Sequence, residues 1–253
     1  MNSYRTAEIA HSFGIHPNTV RLYEELGLIA KPERKANGYR IFTDFHIEQL
    51  RLARTALKVE VLQNGLRKQA IDIIKASSTG NFDHAIHLTE CYCRQIKREQ
   101  RNAEEAISIA GKLLSGENQE QSNVNLNRKE TADLLQISID TLRNWEMNGL
   151  LHVKRKQNGY RVYSGEDIRR LKMICSLRCA NYSLAAILRM LNALFRDPRA
   201  DIRETIDTPE VNDEIISVCD KLLTSLQCAE KNASMMLVQL EEMNKRFKTN
   251  PTL

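Results

Sequence analysis

The chain is poor in the residues that build compact β folds. It has 10 glycines, 5 prolines and 1 tryptophan in 253 residues, and aromatics make up 6%. Sandwiches and barrels need a turn signal every few residues, so this shortage favours helices. No run of about 18 apolar residues occurs, so no membrane span is expected. The first residues, MNSYRTAEIAHSF, lack the apolar stretch of a signal peptide, and a cytoplasmic location is expected. The six cysteines, Cys91, Cys93, Cys175, Cys179, Cys219 and Cys228, are then expected as free thiols rather than a disulfide framework. No cluster of glycines forms a phosphate loop, and neither HExxH nor GxSxG occurs. The chain is therefore not expected to be an enzyme, and it calls for no cofactor. The net charge of +5 hints at an acidic partner, but where the charge lies matters more than its sum.

What the chain does contain is a repeat. RKANGYRIF at 34–42 returns as RKQNGYRVY at 155–163. Shifting by 122 positions brings Glu130, Ala132, Ile137, Thr141, Arg143, Glu146, Gly149 and Leu150 onto Glu8, Ala10, Ile15, Thr19, Arg21, Glu24, Gly27 and Leu28. One residue is then lost near position 31, and a shift of 121 carries the match on through Leu171 and Leu50. So long a period is not a solenoid unit; it reads as two copies of a small domain.

Each copy presents the same signals in the same order. A short amphipathic helix comes first, at 6–13 or 129–135. A tight connection follows, where Asn18 and Asp140 are placed to satisfy helix amides and Pro17 suits a first turn. A second helix runs to Gly27 or Gly149, each at a C-terminal cap. The pair forms a helix-turn-helix. Next comes a two-stranded hairpin, with Asn37-Gly38 or Asn158-Gly159 supplying the positive φ angles of its turn. Thr43 and Ser164 are expected to cap a third helix, and a further short helix follows near 66–76 or 183–195.

Each copy ends in a long helix. Residues 83–114 and roughly 210–248 contain no proline. Leu222, Leu226, Ala229, Ala233, Met236, Leu240, Met243 and Phe247 follow coiled-coil spacing. Tyr92, Ile96, Ala103, Ala106, Ala110 and Leu113 form a weaker seam in the first long helix, interrupted by Glu99. The fold class is thus mainly α: two winged helix-turn-helix domains, each followed by a long coiled-coil helix. The expected boundaries are 1–80 and 81–115, a polar linker at 116–125, then 126–200 and 208–248.

A helix-turn-helix with a basic hairpin fits double-stranded DNA. The second helix can enter the major groove while the hairpin lies along the backbone. The first hairpin carries Lys31, Arg34, Lys35 and Arg40 against Glu33; the second carries Lys154, Arg155, Lys156 and Arg161 with no acid. Such groups neutralise phosphates. Tyr39 and Tyr160 could offer hydroxyls to phosphate while their rings pack on the hairpin. On the second helices Thr19, Arg21 and Tyr23 match Thr141, Arg143 and Trp145. Arg21 and Arg143 are the best base-edge or phosphate candidates. Tyr23 and Trp145 can equally be core anchors. Asn18, Leu22, Asp140 and Asn144 differ between the copies, so the two helices should not read identical half-sites. The alternative to a solvated basic turn is favoured because the run falls twice at the same place.

These residues resemble the MerR family of bacterial transcription regulators. The resemblance rests on TVRLYEELGLI (19–29) followed by NGYRIF (37–42), and on TLRNWEMNGLL (141–151) followed by NGYRVY (158–163). It extends, in outline, over both long helices. It implies DNA binding by recognition helix and wing, and pairing of two modules through antiparallel long helices. It also implies action at promoters, where DNA is bent and untwisted so that RNA polymerase can use it. Leu22 and Asn144 stand where the family usually has an aromatic. The usual member has one module per chain and forms a homodimer.

A helix of about 32 residues reaches roughly 48 Å, enough to deliver its end beside a partner module. An intramolecular pseudo-dimer of the two long helices is therefore expected, with a homodimer of four modules as the alternative. His84, His87 and Cys91 share one helix face with Cys93 nearby, a spacing that could hold zinc or copper but that more often marks a polar stripe; no metal is assigned. Cys175 and Cys179 are expected to pack inward, and Cys219 and Cys228 to flank the seam. An architectural or excisionase-like DNA-binding protein is the alternative to a transcription regulator.

Overall fold

The structure is a computed structural model that describes residues 3–59, 65–115, 125–155, 159–197, 199–208 and 220–248. The chain is mainly helical, with two three-stranded sheets. It divides into two compact units. Unit 1 holds Met1–Lys97 and Ser225–Leu253, and unit 2 holds Arg98–Thr224.

In unit 1, β1 (Ser3–Tyr4), α1 (Thr6–Ser12) and α2 (Pro17–Glu25) lead to the hairpin β2 (Glu33–Arg34) and β3 (Arg40–Thr43). α3 (Asp44–Ala56), α4 (Leu66–Ser78) and the first part of α5 (Phe82–Ser115) follow. Val20, Ile29, Phe42 and Leu50 are essentially buried together with Ile9 and Ala10. The period-3.6 stripe of each short helix is what brings one apolar face to this core. Removing a side chain the size of Val20 or Leu50 from water contributes about 1.5–3 kcal/mol.

Unit 2 repeats this order with β4 (Asn125–Leu126), α6 (Arg128–Leu135), α7 (Ile139–Met147), β5 (Lys154–Arg155), β6 (Arg161–Ser164), α8 (Gly165–Cys179) and α9 (Leu184–Arg196). A short α10 (Ile202–Asp207) is added before α11 (Leu222–Phe247) begins.

Both sheets have a third strand that the repeat did not reveal. β1 pairs antiparallel with β3, Ser3 opposite Thr43, and β4 with β6, Asn125 opposite Ser164. Asn125 therefore lies in a strand rather than in the linker, while 116–124 lie outside the described residues.

The capping residues also differ from the expected ones. His16 caps α2, its Nδ1 accepting from Asn18 N at 3.2 Å, with Pro17 at the first helical position. Ser138 caps α7, accepting from Thr141 N at 2.9 Å. Asn18 and Asp140 sit two positions beyond these caps, inside the first turn. Ser164 caps α8 as expected, accepting from Asp167 N at 3.2 Å. Thr43 precedes α3, and its N–H donates to His46 Nδ1 at 3.1 Å.

The second long helix is shorter than the run at 210–248. Residues 209–219 lie outside the described residues, and the helix starts at Leu222. The Asp207 carboxylate fixes that start, accepting from Leu223 N at 2.8 Å and Thr224 N at 3.1 Å. Arg189 secures the same corner by donating to the carbonyls of Ile206 and Asp220 at 3.0 and 2.8 Å.

Within unit 1, α11 runs antiparallel to the first part of α5. Asp83 meets Asn244 and Lys248 at 3.1 and 2.6 Å, while Lys97 meets Glu230 at 3.7 Å. α11 also grips α3: Gln239 Nε2 donates to Glu48 O at 2.9 Å, and Arg246 pairs with Asp44 at 3.3 Å. Leu226, Ala229, Ala233, Met236, Leu240 and Met243 are buried, as are Tyr92 and Ile96 on α5. Phe247 is half-buried against Phe45, with ring centres 5.1 Å apart. Within unit 2, the later part of α5 buries Ala103, Ala106 and Ala110, and Glu104 pairs with Arg203.

Candidate nucleic-acid interface

The hairpin of unit 1 is built by a glycine. β2 and β3 pair with Arg34 opposite Arg40. Lys35 N donates to Tyr39 O at 2.9 Å and Gly38 N to Lys35 O at 2.8 Å, which closes a three-residue loop. Gly38 takes φ +81°, where any side chain would be strained. Asn37 does not join it in the left-handed region; instead its Oδ1 accepts from Tyr39 N at 3.3 Å. The turn is therefore the longer kind with one left-handed residue, not the two-residue kind that an Asn-Gly pair predicts. Gly159 repeats the angle at φ +81°, whereas Lys156 and Asn158 lie outside the described residues.

Lys31, Arg34 and Lys35 are exposed on the first hairpin, and Lys154 and Arg155 on the second. Tyr39 and Tyr160 are 71% and 72% exposed, so most of each ring faces solvent rather than being covered by the hairpin.

Arg40 and Arg161 stand apart from the other hairpin cations. Arg40 Nε binds Glu24 Oε2 at 2.5 Å, and Arg161 Nε binds Glu146 Oε2 at 2.5 Å. Both carboxylates are under a tenth exposed. Each pair ties the hairpin to the second helix of its copy, so these arginines orient the hairpin. The match of Glu24 with Glu146 was visible in the repeat; the partner each one takes was not.

The second helices show one face to solvent. Asn18 and Arg21 are exposed on α2, and Arg21 Nη1 donates to Asn18 Oδ1 at 3.1 Å. Leu22 and Leu26 are 47% and 52% exposed beside them. On α7, Asp140, Arg143 and Asn144 are exposed, and Met147 is 77% exposed. Thr19 and Thr141 are half-buried. Trp145 is 5% exposed and is a core residue, while Tyr23 packs against the core of its unit. Leu22, Leu26 and Met147 were not singled out as site residues; their apolar side chains resemble core positions until the helix is placed.

Among the described residues no group of three His, Cys, Asp or Glu side chains is placed to hold a metal ion. Cys91 Sγ lies 3.7 Å from His87 Nε2 and accepts from Arg94 at 3.0 Å. Cys175 is half-buried, and burial pushes its thiol up to about 11. Cys179 and Cys228 are exposed, unlike the expected inward packing of Cys179. Cys219 lies outside the described residues. No described helix is long and apolar enough to cross a membrane.

Both copies match known families of regulators. Residues 5–42 match the MerR family regulatory protein, and residues 127–194 match the MerR HTH family regulatory protein. The chain contains two modules of the MerR family. The mercuric resistance operon regulatory protein of Bacillus cereus is 29% identical over 100 residues, 39% of this chain and 76% of that one. The HTH-type transcriptional regulator CueR of Salmonella typhi is 40% identical over 53 residues, 21% of this chain and 38% of its own length. The uncharacterized HTH-type transcriptional regulator YyaN of Bacillus subtilis is 26% identical over 121 residues, covering 44% and 88%. The match to CueR thus spans well under half of that relative. No solved structure matches the chain.

Proposed function

We infer that this MerR-family chain is a transcription regulator whose two modules bind one promoter operator of unequal half-sites. The carrying observation is the repeated pairing of an exposed arginine-bearing helix with a basic hairpin locked to it by a Glu–Arg pair. Arg21 and Arg143 reach base edges in the major groove. Arg34, Lys35, Lys154, Arg155 and Lys156 neutralise phosphates, and the exposed Tyr39 and Tyr160 add hydroxyls at the backbone. Asn18, Thr19, Asp140, Thr141 and Asn144 line the same helices. Tyr23 and Trp145 act from the core, holding those helices in place. Asn37, Gly38, Asn158 and Gly159 shape the hairpin turns, and Arg40 and Arg161 aim the hairpins.

The half-sites differ because the reading faces differ. α2 presents Leu22 and Leu26, and α7 presents Asn144 and Asn148 at the matching places. Bending and untwisting of the DNA between the half-sites, in the presence of RNA polymerase, completes the reading. A single chain supplies both modules as a pseudo-dimer. Support comes from unit 1, which is built from both ends of the chain. Light scattering tests this: one chain of 29.1 kDa is expected at low concentration, and twice that mass would contradict it.

The decisive experiment is footprinting upstream of the chain's own gene. Arg21→Ala is expected to weaken binding and change preference in one half-site alone, and Arg143→Ala in the other. Arg40→Ala is expected to weaken binding without changing preference. Unchanged affinity in all three removes these assignments.

A further inference from the structure

We propose that unit 2 carries a pocket for a small organic acid with an apolar ring body, at a place that unit 1 fills with its own phenylalanines. The cavity measures about 270 Å³. Leu113 and Leu114 from α5, Met173 from α8, and Leu191, Leu194 and Phe195 from α9 form its apolar walls. Arg169, Arg170 and Glu166 complete the lining. An apolar cavity of about 150 Å³ takes up benzene, so this one has room for one or two fused rings.

The comparison inside the chain shows why the space is there. The shift of 121 positions puts Glu166 on Phe45 and Met173 on Leu52. In unit 1 the end of a long helix, α11, brings Phe247 to Phe45, and Phe82 closes the other side with ring centres 6.0 Å apart. Phe45 and Phe82 are 5% and 3% exposed. In unit 2 the end of the other long helix, α5, brings Leu113 and Leu114 toward Glu166 instead. A carboxylate has replaced a ring, and the place stays open. α9 ends with Phe195 at 87% exposure, whereas the matching α4 ends with the buried pair Ser77 and Ser78. Phe195 thus stands exposed at the rim of the cavity it lines.

The charge at the cavity selects an acid. Arg170 is held in position by its Nε, which donates to Leu150 O at 2.9 Å. Arg169 is exposed and makes no ion pair among the described residues. Two guanidiniums and one carboxylate line the cavity, while Asp167, whose charge also acts on Arg170, is engaged by Ser164 outside the lining; a guanidinium matches a carboxylate in shape and hydrogen bonding. This assignment does not depend on the DNA-binding reading.

The test is calorimetric titration of the full chain with 1-naphthoate. One site per chain is expected. Leu194→Trp, which fills the cavity, is expected to lower affinity at least tenfold. Arg169→Gln lies at an exposed position and leaves the core untouched. It is expected to weaken naphthoate at least fivefold while leaving the neutral analogue 1-naphthalenemethanol unchanged. No saturable binding of naphthoate up to millimolar concentration, or binding indifferent to both substitutions, overturns the proposal. So does light scattering in which Phe195→Ser splits a two-chain species into single chains, because the patch would then be covered by a second copy.

Discussion

The two modules share their order of elements but differ in what clamps hairpin to helix. In unit 1, Glu24 receives Arg40, and Phe42 beside it is a ring packed edge-on against His46 at 5.5 Å. In unit 2, Glu146 receives Arg161, Arg128 at 3.2 Å and the hydroxyl of Tyr163. Tyr163 stands where unit 1 has Phe42. One added oxygen turns an apolar contact into a third donor to the same carboxylate. Burial and the Glu146 hydrogen bond push that phenol up to about 12, so it stays a donor at neutral pH. The same scaffold therefore holds its hairpin by one charged contact in unit 1 and by a three-donor cluster in unit 2.

The largest test of this difference is removal of the carboxylate. Glu146→Ala strands two partly buried guanidiniums and a buried phenol, and is expected to cost about 3 kcal/mol. Glu24→Ala strands one guanidinium and is expected to cost about half as much. Amide exchange in α7–β6 and in α2–β3 reads the two separately; equal losses would break the comparison.

Acid should act on the other side. His46 is 4% exposed, and burial lowers it from 6.5 to about 4. The folded ring stays neutral while the unfolded chain takes up a proton below about 6.5. Stability is thus lost as pH falls from 6.5 toward 4. At pH 5 unit 1 is expected to be about 2 kcal/mol weaker than at pH 7. Unit 2 carries Asp167 at the matching place. His46→Asn should remove the pH step seen in exchange from α3; a step that survives would assign it elsewhere.

The smallest expected effect reverses sign. The residue after α1 that must turn left-handed is Gly14 in unit 1, at φ 60°, with Gln136 in that role after α6, at φ 55°. Gln136→Gly is expected to stabilise unit 2 by about 0.5–1 kcal/mol in urea unfolding, and Gly14→Gln to destabilise unit 1 by a similar amount.

Much of the architecture was legible because it was written twice. The hairpins, the glycine caps, the Thr43 and Ser164 boundaries and the buried positions of α11 follow from spacing and turn chemistry. Strands of two residues are too short for any period, so β1 and β4 were silent. His16 was hidden because its capping role depends on ring placement, and Asp207 because its partners are sixteen and seventeen residues away. In the basic hairpins, Arg40 looks like Lys35 until Glu24 is placed beside it. Trp145 could face either way on a helix of nine residues; packing alone decided that it faces inward.

The central claim is that both hairpins grip the backbone of one DNA. It is tested most directly by the salt dependence of affinity for an operator fragment. The double change Arg34→Gln, Lys35→Gln in the first hairpin and the double change Lys154→Gln, Arg155→Gln in the second are each expected to reduce the slope of log affinity against log salt by about 1.8. The four changes together should reduce it by about twice that. A slope that falls for one pair alone, or for neither, would contradict the account.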